Sequence, residues 1–314
     1  MTQIKRVILM GGLGNQLFQY SFALSLAREF HCKVILDPNF AAIRLDEMGQ
    51  PELSKFKLNE DVSIAERSTY PTLIRKLVGF GIRSSLNSHK QESRVLVVIV
   101  NQVLKILLSL YFHQKVSIFF ANDNGYDSRY SKKPYSIYFG YFQSYNFSVG
   151  SKVQENLSEI ELKKDSESLA FFRDKAKKER PLIVHIRLTD YRNEPNFGIP
   201  SKEYFGNAIA HQLETEQYSR IWLFSDEPEE AIRLLPTEYL PLVENISSQI
   251  SPTTETFEVM RMGRGYVIAN SSFSWWGAFL SINPDAPVIY PEPWFSGMPT
   301  PRLLTPTTWT PFDR

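Results

Sequence analysis

The chain reads as an α/β protein of two Rossmann-like halves facing a central cleft, with a helical insertion in the first half. Three observations carry that reading. A short apolar run, a glycine-rich turn and a long apolar helix open the chain. Alternation of strand and helix returns after residue 153 and continues almost to the end. Polar residues gather where the predicted strands stop, which is where open parallel sheets hold their ligands.

The first strand is Val7 to Met10, too short for a helix and apolar enough for a buried parallel strand. GGLGNQLFQYSFALSLA follows, from Gly11 to Ala27. In it Leu17, Phe18, Phe22, Leu24, Leu26 and Ala27 recur at three- and four-residue steps without a proline, which predicts an amphipathic or mostly buried helix. Lys33 to Asp37 reads as a second parallel strand, completing a βαβ unit. Gly11, Gly12 and Gly14 allow positive φ and close approach, and the free N–H groups at the helix start favour an anion. Gly12-x-Gly14 with Asp37 also begins a dinucleotide fingerprint, but Leu17 stands where the third glycine belongs. A bare tight turn is the other reading, though such a turn has no use for Asn15 and Gln16.

About residues 47–136 show no clear alternation and read as a helical insertion, so the expected domains are 1–150 and 151–314. Within the insertion, Leu73 to Leu86 is basic and apolar by turns, and Val95 to Phe112 is strongly apolar. The latter approaches the length of a membrane span, but Asn101, Gln102 and Lys105 interrupt it. Buried or domain-packing helices are the favoured reading; a face lying on an anionic membrane surface is the intermediate one. YFGYFQSYNF (Tyr138 to Phe147) is dense in rings. Then follow a charged helical region (Val153 to Lys178, stopped by Pro181) and a strand (Leu182 to Arg187). Next come a helix capped by Ser201 with Tyr204 near its start, and a strand (Arg220 to Asp226). Glu227 to Leu235 and Glu255 to Arg264 read as helices, Tyr266 to Ala269 as a strand, Phe273 to Leu280 as a helix, and Val288 to Tyr290 as the last strand.

Composition narrows the class. A chain of 314 residues has room for two domains, and 43% hydrophobic with 22% charged residues is ordinary for a soluble enzyme. A net charge of +1 gives nucleic acid no bulk attraction. The 13% aromatic content suits either sugar stacking or core packing. Cys32 is the only cysteine, which fits a reducing compartment, and the residues before the glycines do not form a signal peptide. His31, His89, His113, His185 and His211 lack metal-ligand spacing, so no metal is expected.

Three predicted strand ends carry chemistry. In VHIRLTDY, His185 and Arg187 alternate onto one face. An arginine fork there suits a phosphate, and an internal Arg187–Asp190 ion pair is the competing use. In FSDEPEE, Asp226 can accept from a base edge or a ribose, or cap the next helix. In ANSSFSWWGAFL, Asn270, Ser271, Ser272 and Ser274 gather hydroxyls at a helix start, a cradle for phosphate; Trp275 and Trp276 read as packing. Arginine, hydroxyls, a helix start and a carboxylate together suggest transfer of a group from a nucleotide-activated donor.

GGLGNQLFQYSFALSLA, VHIRLTDY, FSDEPE and NSSFSWWGAFL resemble the motifs of glycosyltransferase family 11, the alpha-1,2-fucosyltransferases. YFGYFQSYNF and PEPWF (Pro291 to Phe295) resemble family segments as well. The resemblance implies a GT-B fold, GDP-fucose as donor, inversion at the anomeric carbon, no metal and no other cofactor. Carried onto this chain, it implies Arg187 on the β-phosphate with Ser272 and Ser274. His185 and Asp226 would lie toward the guanine, and Gly12, Gly14, Asn15 and Gln16 in the loop that meets donor and acceptor. Asp190 would organise Arg187 and the acceptor rather than remove its proton, with Glu194 as second candidate base. Two positions depart from the family pattern. Leu188 replaces a second arginine, removing part of the phosphate grip, and Thr189 replaces a glycine. The expected acceptor is a galactose-terminated oligosaccharide or lipid-linked glycan of a bacterial surface polysaccharide, reached from the cytoplasm or the inner face of the membrane. Fucosyl transfer of another linkage (the alpha-1,6 type), a non-catalytic sugar-nucleotide-binding protein and a nicotinamide-dependent oxidoreductase are the rival readings.

Overall fold

The computed structural model describes residues 4–66, 68, 71–86 and 94–314, so His89 lies outside the described residues. The chain divides into two compact units. One is Met1–Glu161 with Pro301–Leu304; the other is Leu162–Thr300 with Thr305–Arg314. The boundary expected near residue 150 lies one helix short of this division.

The N-terminal unit contains β1 (Ile4–Ile8), α1 (Leu13–Phe30), β2 (Lys33–Asp37), β3 (Val62–Ile64), α2 (Thr72–Leu86), α3 (Arg94–Tyr111), β4 (Ile118–Phe120), β5 (Ile137–Phe139) and α4 (Ser151–Ser158). The strands form one parallel sheet in the order β3-β2-β1-β5-β4. The predicted βαβ unit is there, with Ile8 in register with Asp37. Helix α1 is buried nearly all round rather than amphipathic: Leu17, Phe18, Phe22, Ala23 and Leu26 have no exposed surface. Its buried polar side chains are bonded, as burial requires. Gln19 Oε1 accepts from Met10 N–H at 2.9 Å, and Ser21 Oγ donates to Phe147 O at 2.8 Å. The ring-rich segment after β5 is core. Phe22 stacks on Phe142 at 3.8 Å and meets Phe147 edge-on at 4.9 Å.

The span 47–136 differs from the expectation of a helical insertion. It holds α2 and α3, but β3 and β4 lie in it too and extend the sheet on both sides. Three-residue strands are too short to show a period of two, so the sequence pattern misses them. Helix α3 is only half buried: Leu104 and Leu108 join Ile74 and Val78 of α2 in the core, while Ile99, Ile106 and Leu110 stay exposed. Among the described residues no helix is long and apolar enough to cross a membrane.

The C-terminal unit contains α5 (Glu167–Glu179), β6 (Leu182–Ile186), α6 (Lys202–Thr215), β7 (Ile221–Ser225), α7 (Pro228–Ala231), β8 (Val243–Asn245), α8 (Thr253–Met260), β9 (Gly265–Val267), α9 (Ser272–Phe279), β10 (Val288–Glu292) and β11 (Thr310–Asp313). All six strands are parallel, in the order β11-β10-β9-β6-β7-β8. Central β6 and β7 are buried at every residue, as their unbroken apolar runs require. Ser201 caps α6, its hydroxyl accepting from Tyr204 N–H at 3.1 Å. The charged region from Val153 is two helices: α4 lies in the other unit, and Ser166 caps α5 by accepting from Leu169 N–H at 3.2 Å. The last strand is β11, not β10. It is a sheet edge, which tolerates Pro311, and that proline is why its sequence does not read as a strand.

Candidate functional site

Strands β7, β6 and β9 are neighbours and parallel, so their C-terminal ends share one edge of the sheet. The three polar clusters read from the sequence sit there. Their grouping follows from topology, since the residues are up to 89 positions apart (His185 to Ser274).

Arg187 leaves the end of β6. Its Nε donates to Asp190 Oδ1 at 2.8 Å and lies 3.3 Å from Asp226 Oδ2. Burial opposes its charge, but the two carboxylates outweigh burial and hold the guanidinium more basic than usual. Both carboxylates take the Nε side. The two terminal nitrogens make no hydrogen bond to a described residue, which leaves the guanidinium fork open.

Asp226 is the latch of the segment after β6. Its Oδ1 accepts from Leu188 N–H at 2.9 Å; its Oδ2 accepts from Thr189 N–H at 3.1 Å and from the Thr189 hydroxyl. With Arg187 added, most of the acceptor capacity of a carboxylate is used inside the chain. Desolvation raises its pKa, but the Thr189 and Leu188 bonds and the Arg187 charge win, and it stays below the usual carboxylate range. Asp190 is half-exposed, and Glu227 pairs with Arg192 at 2.6 Å.

His185 is buried within β6, opposite Phe224 of β7. Burial first, then the Arg187 charge, push its pKa down to about 3, so it is neutral at any physiological pH. Its Nδ1 is buried without a hydrogen-bond partner among the described residues.

At the end of β9 the serines divide the work. Ser271 caps α9, accepting from Phe273 N–H at 3.3 Å. Ser274 is fully buried, and its hydroxyl donates to Ser271 O at 3.2 Å and Ala269 O at 3.4 Å. Ser272 begins the helix and is half-buried. Trp275 and Trp276 are fully buried packing, as the sequence reading held. Tyr191, pushed well up by burial, ties β6 to β9: its hydroxyl donates to Asn270 O at 2.7 Å. Neither Thr189 nor Tyr191 figures in the site read from sequence. Thr189 follows directly on Arg187, but its partner is 37 residues away, and no local pattern reports such a bond.

In the N-terminal unit the glycine loop is a built structure. Gly11 has φ +71° and exchanges backbone bonds with Ala42 and Arg44, both 2.9 Å. Gly12 caps α1 with an ordinary φ of −85°. The anion expected at this helix start comes from the chain itself. Leu13 N–H donates to the buried Glu52 carboxylate at 2.8 Å. Gln16 is buried and pins two loops: Nε2 donates to Gly11 O and Arg44 O at 3.1 and 3.0 Å, and Oε1 accepts from Leu53 N–H at 3.0 Å. Asn15 accepts from Gln143 Nε2 at 2.9 Å, and Gly14 is buried inside α1. Asp37, the carboxylate a dinucleotide site would need, is buried and paired with Arg6 at 3.0 Å. Among the described residues no group of three or more His, Cys, Asp or Glu is placed to hold a metal ion.

The model of glycosyl transferase family 11 matches residues 4–294. The chain belongs to glycosyl transferase family 11. The resemblance read from the motifs is therefore correct at the level of the family. This family 11 chain is 25% identical to the O-antigen biosynthesis glycosyltransferase WbnK of Escherichia coli, over 96% of its own length and 98% of that protein's. It is 27% identical to an alpha-1,2-colitosyltransferase of Escherichia coli, over 91% of each. Its fold is similar to that of the alpha-1,6-fucosyltransferase NodZ in crystals soaked with GDP-fucose. The TM-score is 0.50 at 12% identity, covering 93% of this chain and 96% of that one. The two parallel sheets are thus the two Rossmann-like domains of the GT-B class.

Proposed function

We propose that this chain is an inverting, metal-independent transferase that moves L-fucose from GDP-fucose to the 2-hydroxyl of a terminal galactose. The acceptor would be a bacterial surface polysaccharide or its lipid-linked precursor. The observation that carries the reading is the open fork of Arg187, held at its Nε side by two carboxylates on the ligand edge of the sheet. As fucose leaves through a cationic state, charge grows on the diphosphate, and a preorganised guanidinium meets it there. The start of α9 with Ser272 lies on the same edge and assists. Asp226 fixes the segment that carries Arg187, and His185 beneath the same strand end is neutral and adds no charge beside the donor. The N-terminal unit serves the acceptor. The O-antigen role named for WbnK supports the polysaccharide setting.

A second reading has one observation behind it: a relative at 27% identity is named for colitose and the alpha-1,2 linkage. The assay that decides follows GDP release with GDP-fucose or the corresponding activated colitose, with and without a galactosyl acceptor, and includes excess EDTA. Release that needs both GDP-fucose and acceptor and survives EDTA is expected. Reversible loss on chelation would refute the metal-free mechanism, and GDP-fucose inert with every acceptor would refute the donor. Arg187→Ala should cost about 10²–10³ in kcat, and Arg187→Lys should recover little, because a point charge cannot reproduce the fork. Near-wild-type turnover in the alanine variant would remove Arg187 from the chemistry.

A further inference from the structure

Helix α3 meets two environments. Leu104 and Leu108 are fully buried against α2. On the other side Ile99, Val103, Ile106 and Leu110 follow at steps of four, three and four residues, one stripe on the helix. They are 53, 40, 59 and 67% exposed. Single exposed apolar residues need no explanation, but a continuous row does.

The charge on the same helix pair is one-sided. Helices α2 and α3 contain Arg75, Lys76, Arg83, Arg94 and Lys105 and no Asp or Glu. The pair thus carries +5 in a chain of net +1, leaving −4 for the remainder. Arg75 and Lys76 are exposed. A groove of about 700 Å³ opens at the C-terminal end of the stripe, lined by Lys105, Ile106, Leu110, His113 and Lys115 among others. Cations and apolar side chains therefore line the same depression.

We infer that this face of α2 and α3 is a docking surface for an anionic lipid bilayer. The stripe enters the boundary between headgroups and acyl chains, and the basic residues meet the headgroup phosphates. No span is involved, since among the described residues no helix is long and apolar enough to cross a membrane. A second copy of this chain fits the face poorly, because a symmetric pairing would set Lys105 and Lys115 of one copy against those of the other. The inference stands on this surface and not on the proposed donor.

The test is co-sedimentation of the full chain with vesicles of phosphatidylcholine and phosphatidylglycerol in equal parts, against phosphatidylcholine alone. Binding to the anionic vesicles only, weakened by salt, is expected. Each basic residue near such a surface is worth about fivefold (about 1 kcal/mol), so Lys115→Gln, exposed in the groove, should weaken binding roughly fivefold. Ile106→Gln with Leu110→Gln should weaken it at least about tenfold, through lost apolar burial. Both variants alter exposed side chains, so melting and turnover on a soluble acceptor should be unchanged. Failure to sediment, or equal binding to both vesicle types, would overturn the inference. So would a concentration-dependent dimer in the ultracentrifuge that the stripe variant dissolves.

Discussion

Asp226→Asn separates the latch from a ligand contact. The carboxylate makes three hydrogen bonds to Leu188 and Thr189 and lies 3.3 Å from Arg187 Nε, with a side chain only 16% exposed. The amide replaces one acceptor oxygen by a donor. If it replaces Oδ1, Leu188 N–H loses its acceptor; if it replaces Oδ2, Thr189 N–H loses its acceptor, and Arg187 Nε, which still donates to Asp190, loses the charge beside it. An orphaned, partly buried donor costs about 1–3 kcal/mol, and bonds to a charged acceptor are worth more than neutral ones. A loss of about 2–4 kcal/mol is expected in the ligand-free protein, roughly 5–15 °C in the melting of a unit this size. The sign with pH follows from the lowered pKa of Asp226 in the folded state. Its stabilisation is complete above the unfolded value of about 3.9 and is lost as pH falls through the lower folded value. Denaturation curves of wild type and variant should therefore differ by a constant amount above about pH 5 and converge below about pH 4. Turnover should fall as well, because Arg187 loses a support. Equal ligand-free stability across that range would refute the latch and return Asp226 to a purely ligand-binding role.

The glycine loop separates backbone need from ligand need. Gly11→Ala should cost about 1–2 kcal/mol or more in denaturation, since φ is +71° and a Cβ would meet the Asn15 side chain. Gly12→Ala should leave stability within about 0.5 kcal/mol, because φ is ordinary and the nearest atoms to a Cβ lie at 3.9 Å. If a ligand approaches there, the Gly12 variant loses activity; full activity would make the loop structural only. Asp190→Asn should lower kcat by loosening Arg187 while leaving the acidic limb of the pH–rate profile in place. Loss of that limb with donor affinity preserved would make Asp190 the base, and Glu194→Gln asks the same of the second candidate.

The residues alone determined whatever local periodicity and short-range chemistry encode. The opening βαβ unit, the Ser201 cap, the buried strands β6 and β7 and the grouping of polar residues at strand ends all follow from apolar spacing and from residue types with strong positional preferences. The motifs carried the family for the same reason: their residues are contiguous. Tertiary structure decided how each polar group is used. The anion on α1 is Glu52, which lies 39 residues from Leu13 in the chain, and Asp226 holds a segment 37 residues away. Ser274 turns inward while Ser271 caps the helix, though both stand in one serine cluster. Three-residue strands β3, β4, β5 and β8 depend on ladder partners rather than on their own pattern. Helix α3 is apolar on more than one face despite Asn101, Gln102 and Lys105, and only packing against α2 sets which face is core and which remains outside. A sequence fixes which side chains a local turn of backbone can present. Only the assembled sheet determines the distant donor or acceptor each one meets, because a carboxylate bonds whichever N–H the fold brings within 3 Å or so.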